Sequence, residues 1–215
     1  MGAGAGGGGG LGDWAPIDRS DPKRTGSVMG ATSTGTGTGA GVGAGDGAGD
    51  GRIAPPLTGG ERETLRAFLD FHRATLAMKC AGLTDEQLRL RSSPPSTLTL
   101  LGLVRHMAEV ERTWFRRVID GEDIPLVWSA EGDFQVAYDA DGADRAEAFA
   151  AWETEVEHAR RIEREAESLD VTGYQVRWQA EVSLRLVMLH LIHEYARHNG
   201  HADFLREAID GEVGA

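Results

Sequence analysis

Between Phe149 and Ala166 the apolar residues Phe149, Trp152, Val156, Ala159, Ile162 and Ala166 recur at intervals of three and four. That period matches the α-helical turn and lays one apolar stripe along a helix expected from about Asp144 to Leu169. An isolated amphipathic helix is marginal in water, so such a stripe has to be covered by other elements. The sequence supplies them. Thr58 as N-cap and Glu61 three residues later form a capping box for a first helix, which Gly82 stops after Cys80-Ala81. In this helix Leu65, Phe68, Leu69 and Leu76 share a stripe with His72, while Ala67, Phe71, Ala74 and Met78 form a second one. Which face meets the core stays open. A smaller box from Thr84 to Gln87 predicts a turn or two of connecting helix before Pro94-Pro95 interrupts. The next long helix is expected from Ser96 or Thr97 to Asp120-Gly121, burying Leu100, Leu103, Val104, Met107, Val110 and Trp114. The last is expected from about Glu181 to Ile209. Its internal Gly200 costs about 1 kcal/mol relative to alanine, which implies close packing or a bend. Four long helices with almost no strand signal predict an all-α four-helix bundle. Tyr174 to Trp178 alternates and reads as a short strand or extended link. Glu122 to Ala140, with Pro125, Trp128, Phe134 and Tyr138 irregularly spaced, reads as a long structured loop over one end of the bundle.

Residues 1–51 differ in kind. Glycine runs unbroken from Gly6 to Gly10, and Gly-Thr and Gly-Ala repeats extend from Thr32 to Gly51. Glycine has the most backbone entropy to lose and no side chain to bury, so this segment is expected to be a disordered low-complexity tail. The bundle domain is then expected over residues 53–211, enough for one well-buried core.

The composition narrows the function. Against 22 Lys and Arg stand 34 acidic residues, a formal net charge of −12. That repels nucleic acid and anionic membranes. Arg112, Arg116 and Arg117, interspersed with Glu109 and Glu111, read as a solvated face. The single cysteine, Cys80, excludes an internal disulfide, fits a reducing compartment and reads as a buried or helix-end thiol. No apolar stretch is long enough for a bilayer, so the cytoplasm is the expected location.

The chemistry concentrates in Leu189-His-Leu-Ile-His-Glu-Tyr-Ala-Arg-His-Asn-Gly-His201. On a helix, His190, Glu194, His198 and His201 fall at about 0°, 40°, 80° and 20° around the axis, one narrow stripe. Polar groups on a packed helix need partners, and a metal ion satisfies several at once. One helix rarely surrounds an ion. His106, isolated on the apolar face of the helix expected from Ser96 or Thr97, is either a hydrogen-bonded packing residue or the third ligand for the Glu194/His198 pair. His190 lies about 12 Å of axial rise from His198, so it serves as an alternative to His198 or orients a ligand from outside. His201 and Arg197 belong to that outer group, Arg197 also as a contact for a substrate carboxylate. His72 and His193 read as packing or partly exposed residues, and His158 as surface. Glu109 and Glu181 are the carboxylates to consider as general bases. No phosphate-binding glycine loop or Gly-x-Ser-x-Gly elbow occurs.

From about Pro55 to Gly211 the chain resembles the DinB-like superfamily, in particular its DUF664 branch. The resemblance is carried by Thr99-Leu-Leu-Gly-Leu-Val-Arg-His-Met-Ala-Glu-Val-Glu-Arg-Thr-Trp-Phe115, Glu181-Val-Ser-Leu-Arg185 and Glu194-Tyr-Ala-Arg-His-Asn-Gly-His-Ala-Asp203. It implies a four-helix bundle holding a divalent metal through His106, Glu194 and His198. Many relatives carry histidine where this chain has Glu194. The His-Glu-His set is similar to that of the mycothiol-dependent maleylpyruvate isomerase, where zinc serves thiol chemistry. The resemblance therefore implies zinc first, with nickel, iron or manganese as other ions of suitable ligand preference, and mycothiol as co-substrate. The expected partner is a small electrophilic substrate, with a homodimer compatible with the bundle. Two readings follow. One is a metal-dependent thiol transferase, isomerase or hydrolase using a small thiol or water. The other is a non-catalytic bundle that binds metal or a small ligand.

Overall fold

The computed structural model describes residues 52–214; the tail expected over residues 1–51 lies outside the described residues. Four long helical segments make up the fold: α1 (Glu61–Cys80), α3 (Leu100–Glu111, prolonged by π-helical turns over Arg112–Ile119), α4 (Arg145–Glu165) and α5 (Leu184–Asp210). The short α2 (Asp85–Leu88) connects the first two. α1 packs on α5 and α3 on α4, with α3 also against α5. The result is an all-α helical bundle with one small hairpin, β1 (Thr172–Gln175) paired antiparallel with β2 (Ala180–Ser183). Among the described residues, no helix is long and apolar enough to cross a membrane.

The core follows the helical stripes. Leu65, Leu69 and Leu76 are buried while Phe68 is exposed and Phe71 and Met78 are half-buried, so the first stripe of α1 meets the core. Leu100, Leu103, Val104, Met107, Val110 and Trp114 are buried on α3 and its extension, and Trp152, Val156, Ala159 and Ile162 on α4. Asp144, Ser183 and Thr99 cap α4, α5 and α3 through their side chains, accepting from backbone N–H groups left unpaired in a first turn. The Thr84/Gln87 capping box is formed.

Several expectations are corrected. The N-cap of α1 is Gly60 without a side-chain hydrogen bond, so Thr58 does not cap it. α3 starts at Leu100, not at Ser96 or Thr97. Glu181 lies in β2, which postpones α5 to Leu184. Gly200 has nothing within 4 Å of a Cβ built upon it, so close packing is not its reason. The acidic residues of α3 do not form a solvated face: Glu109 and Glu111 are fully buried. They are tolerated because each is paired. Arg73 donates to both oxygens of Glu111 at 2.8 Å, the Tyr195 hydroxyl donates to Oε1 at 2.8 Å, and Trp152 Nε1 donates to that hydroxyl at 2.8 Å. This chain of bonds joins α1, α3, α4 and α5. Buried Glu155 is held likewise by Arg112 and Arg116.

The long connection after α3 is fixed to that helix. Glu109 accepts from the backbone N–H of Val127 and of Trp128, both at 2.7 Å. Arg105 lies over the Trp128 ring and donates to the carbonyl of Ala137 in the 3-10 turn Phe134–Tyr138. The segment that looked least regular in sequence thus covers the flank of α3 nearest His106.

Candidate metal centre

α3 turns His106 inward, and α5 presents Glu194 and His198 one turn apart towards it. One ligand atom from each of the three lies within 4.8 Å of the others, and all three residues are buried. The His106 and His198 rings meet edge to face with centroids 4.6 Å apart. Among the described residues, neither nitrogen of His106, nor Glu194 Oε2, nor His198 Nε2 has a hydrogen-bond partner, although all four atoms are buried. His198 Nε2 stands 3.4 Å from Glu194 Oε2. Unpaired buried polar atoms carry an unrecovered desolvation cost. Four of them converging on one point, from two imidazoles and a carboxylate, form a donor set suited to a divalent cation.

The electrostatics keep Glu194 and His106 in ligand form. Burial works against ionised Glu194, but the close imidazoles of His106 and His198 and the charges of Arg197 and His190 outweigh it. Its carboxyl is held well below the usual carboxylate range. Burial lowers the pKa of His106, assisted by His198 and opposed by Glu194, and so favours neutral imidazole.

The remaining predicted residues surround this group. His201 Nδ1 lies 3.3 Å from His198 Nδ1, leaving His198 Nε2 towards the centre. His190 Nε2 approaches the other Glu194 oxygen at 3.7 Å. Its ring also packs against Trp114 at 4.3 Å and Trp178 at 5.9 Å. Arg197 meets the same Glu194 oxygen at 3.4 Å and remains partly exposed. His72 adjoins Asn199, whose amide donates to its carbonyl at 3.0 Å. His193 is exposed. His158 is half-buried and lines a surface depression with Glu153, Glu157 and Arg161. Both oxygens of Glu109 are engaged by the loop, and Glu181 is exposed on β2. Cys80 is buried and its thiol is pushed up to about 12 by burial, which makes it a poor nucleophile.

Sequence reasoning missed Tyr138. Its ring stacks on His106 with centroids 4.4 Å apart and planes 18° from parallel. It lies in a 3-10 turn within an aperiodic segment, so no spacing linked it to His106.

An all-α bundle with a buried His-Glu-His cluster between two of its helices defines a DinB-like protein. A family model for mycothiol-S-transferase (MST) matches residues 64–211, and the chain belongs to that family. No curated protein matches it.

Proposed function

We propose that this chain is a divalent-metal-dependent enzyme of the DUF664 branch that joins a low-molecular-weight thiol, mycothiol in its cells, to a small electrophilic substrate. The observation that carries the reading is the cluster of four buried, unpaired donor atoms on His106, Glu194 and His198. Zinc is the proposed ion, with nickel, iron and manganese as others that accept mixed nitrogen and oxygen ligands. When bound with an open position, such an ion lowers the pKa of a thiol or water and supplies a nucleophile near neutral pH.

The chain's own groups supply the rest. Glu194 offsets one of the two positive charges, and His201 orients His198. Arg197, partly exposed beside Glu194, gives a negatively charged substrate group a local cation that the acidic chain as a whole does not provide. Trp114 and Trp178 pack around His190, which approaches Glu194. In the transfer, the thiol S–H bond breaks and its proton passes to solvent. The sulfur electron pair forms the bond to the electrophilic carbon, and the group displaced from that carbon leaves with the electron pair of the bond that breaks. The proposed working domain is residues 53–211, and the proposed location is the cytoplasm.

Elemental analysis of protein purified without an affinity tag tests this reading, alongside His106→Ala and Glu194→Ala. About one divalent ion per chain is expected in the parent, with near-complete loss in both variants. Metal near zero in the parent, or unchanged in both variants, would overturn the centre. A loaded protein that forms no thioether from mycothiol and a panel of electrophiles would favour the non-catalytic reading.

A further inference from the structure

The turn that carries Tyr138 is held on α3 from three directions. Arg105 donates from Nε to the Ala137 carbonyl at 3.1 Å and from Nη2 to the Val136 carbonyl at 3.4 Å. The carbonyl of Tyr138 rests on Gly102, where any Cβ would stand 2.6 Å from its oxygen. That approach needs glycine. The third attachment is the stack of the Tyr138 ring on His106.

A ring in this position could serve only to cover the imidazole. The hydroxyl argues for more. Fully buried Tyr195 uses its hydroxyl twice within the protein, donating to Glu111 and accepting from Trp152, whereas Tyr138 is half-buried and keeps its O–H open to a bound molecule. The Tyr138 hydroxyl makes no hydrogen bond to any described residue. The phenol of Tyr138 can donate through its O–H. Its ring lies 6.3 Å from that of His198 as well as on His106, beside both helices that build the centre. A hydroxyl fixed beside both histidines of the centre, and without a hydrogen-bond partner among the described residues, is placed to meet a molecule bound there.

We propose that Tyr138 is a ligand-binding residue of this centre, its hydroxyl donating a hydrogen bond to the sulfur of the bound thiol. The inference rests on the thiol-transfer reading above. A donor to a thiolate holds the thiol and draws charge from sulfur.

The test uses the full chain loaded with cobalt(II), with N-acetylcysteine as the probe and the sulfur-to-cobalt charge-transfer absorption as the readout. Tyr138→Phe keeps the ring and its stack. We expect it to retain the cobalt stoichiometry and the thiol-free spectrum of the parent. Its dissociation constant for N-acetylcysteine should rise about tenfold, the scale of one hydrogen bond to a charged group. Its charge-transfer band should move to lower energy, because sulfur then keeps more electron density. A purely structural role would move neither. An unchanged dissociation constant and band would overturn the proposal, as would loss of cobalt from Tyr138→Phe. Absence of a charge-transfer band in the parent would instead overturn the underlying thiol reading, and the inference with it.

Discussion

A buried imidazole with both nitrogens unpaired is a poor packing residue, and His106 is fully buried in that state. The same residue as a ligand recovers what desolvation costs. Its place was legible because helical periodicity puts it on the apolar face of α3, and the i,i+4 spacing of Glu194 and His198 puts both on one side of α5. The pairing of buried Glu109 and Glu111 was not legible, since the partners of Glu111 lie on two other helices and those of Glu109 in a loop. Charged pairs on the surface behave differently and give a pH prediction. Glu122 accepts from Arg116 Nη2 at 2.6 Å, and that hydrogen bond holds its carboxyl below the ordinary 4.5. Between the two values the unfolded chain binds more protons than the folded one, so stability rises with pH there. The contribution is present above the unfolded value and lost as pH falls through the folded one. Solvent screening keeps it below about 1 kcal/mol. Glu122→Gln should therefore unfold slightly below the parent at pH 7 in thermal melts. The gap should narrow as pH falls below 4.5 and close once the folded carboxyl is protonated. A gap that widens in acid would contradict the pairing.

At the scale of elements, the long helices were readable because each repeats an apolar residue every three or four positions. What depends on backbone contact was not. The π-helical extension Arg112–Ile119 keeps the apolar pattern of a helix, so nothing in residue type announced the change of winding. The hairpin that packs on it was anticipated only as a strand or link, because its second strand lies where helical residues begin. Gly173 shows how close that packing is: a Cβ there would stand 1.8 Å from the Val118 carbonyl oxygen. Gly173→Ala must separate the hairpin from the π-helical turns. A loss of about 3 kcal/mol or more is expected, at the upper end for overpacking, which corresponds to roughly 6–12 °C for a domain of this size. Gly200 gives the opposite case, a helical glycine facing open space. Gly200→Ala removes only backbone freedom from the unfolded chain, so it should raise the midpoint by roughly 1–3 °C. Calorimetry of both variants checks the pair, and equal signs would refute the packing assigned to at least one glycine.

Over the whole molecule, charge and core divide the work. The chain carries a net charge of −12, yet among the described residues buried Glu109, Glu111, Glu155 and Glu163 are matched by arginine or backbone donors, and Glu194 alone of the buried acids turns an unpaired oxygen to the centre. The buried residues from Leu65 to Leu205 form a hydrophobic cluster drawn from all the long helices. Residues 1–51 offer no periodic apolar positions to such a cluster, and their glycines would give up the most entropy on ordering. At the boundary, Arg52 lies over the ring of Phe71, 5.3 Å from its centroid, so a truncation that tests the tail should begin the chain at Arg52. Deleting residues 1–51 is expected to leave the thermal midpoint within about 2 °C of the parent and the bound metal unchanged. A fall of about 5 °C corresponds to roughly 1–2 kcal/mol for a domain of this size. That fall would mean the tail packs on the bundle despite its composition. A change in metal content with an unchanged midpoint would mean instead that the tail acts on the centre.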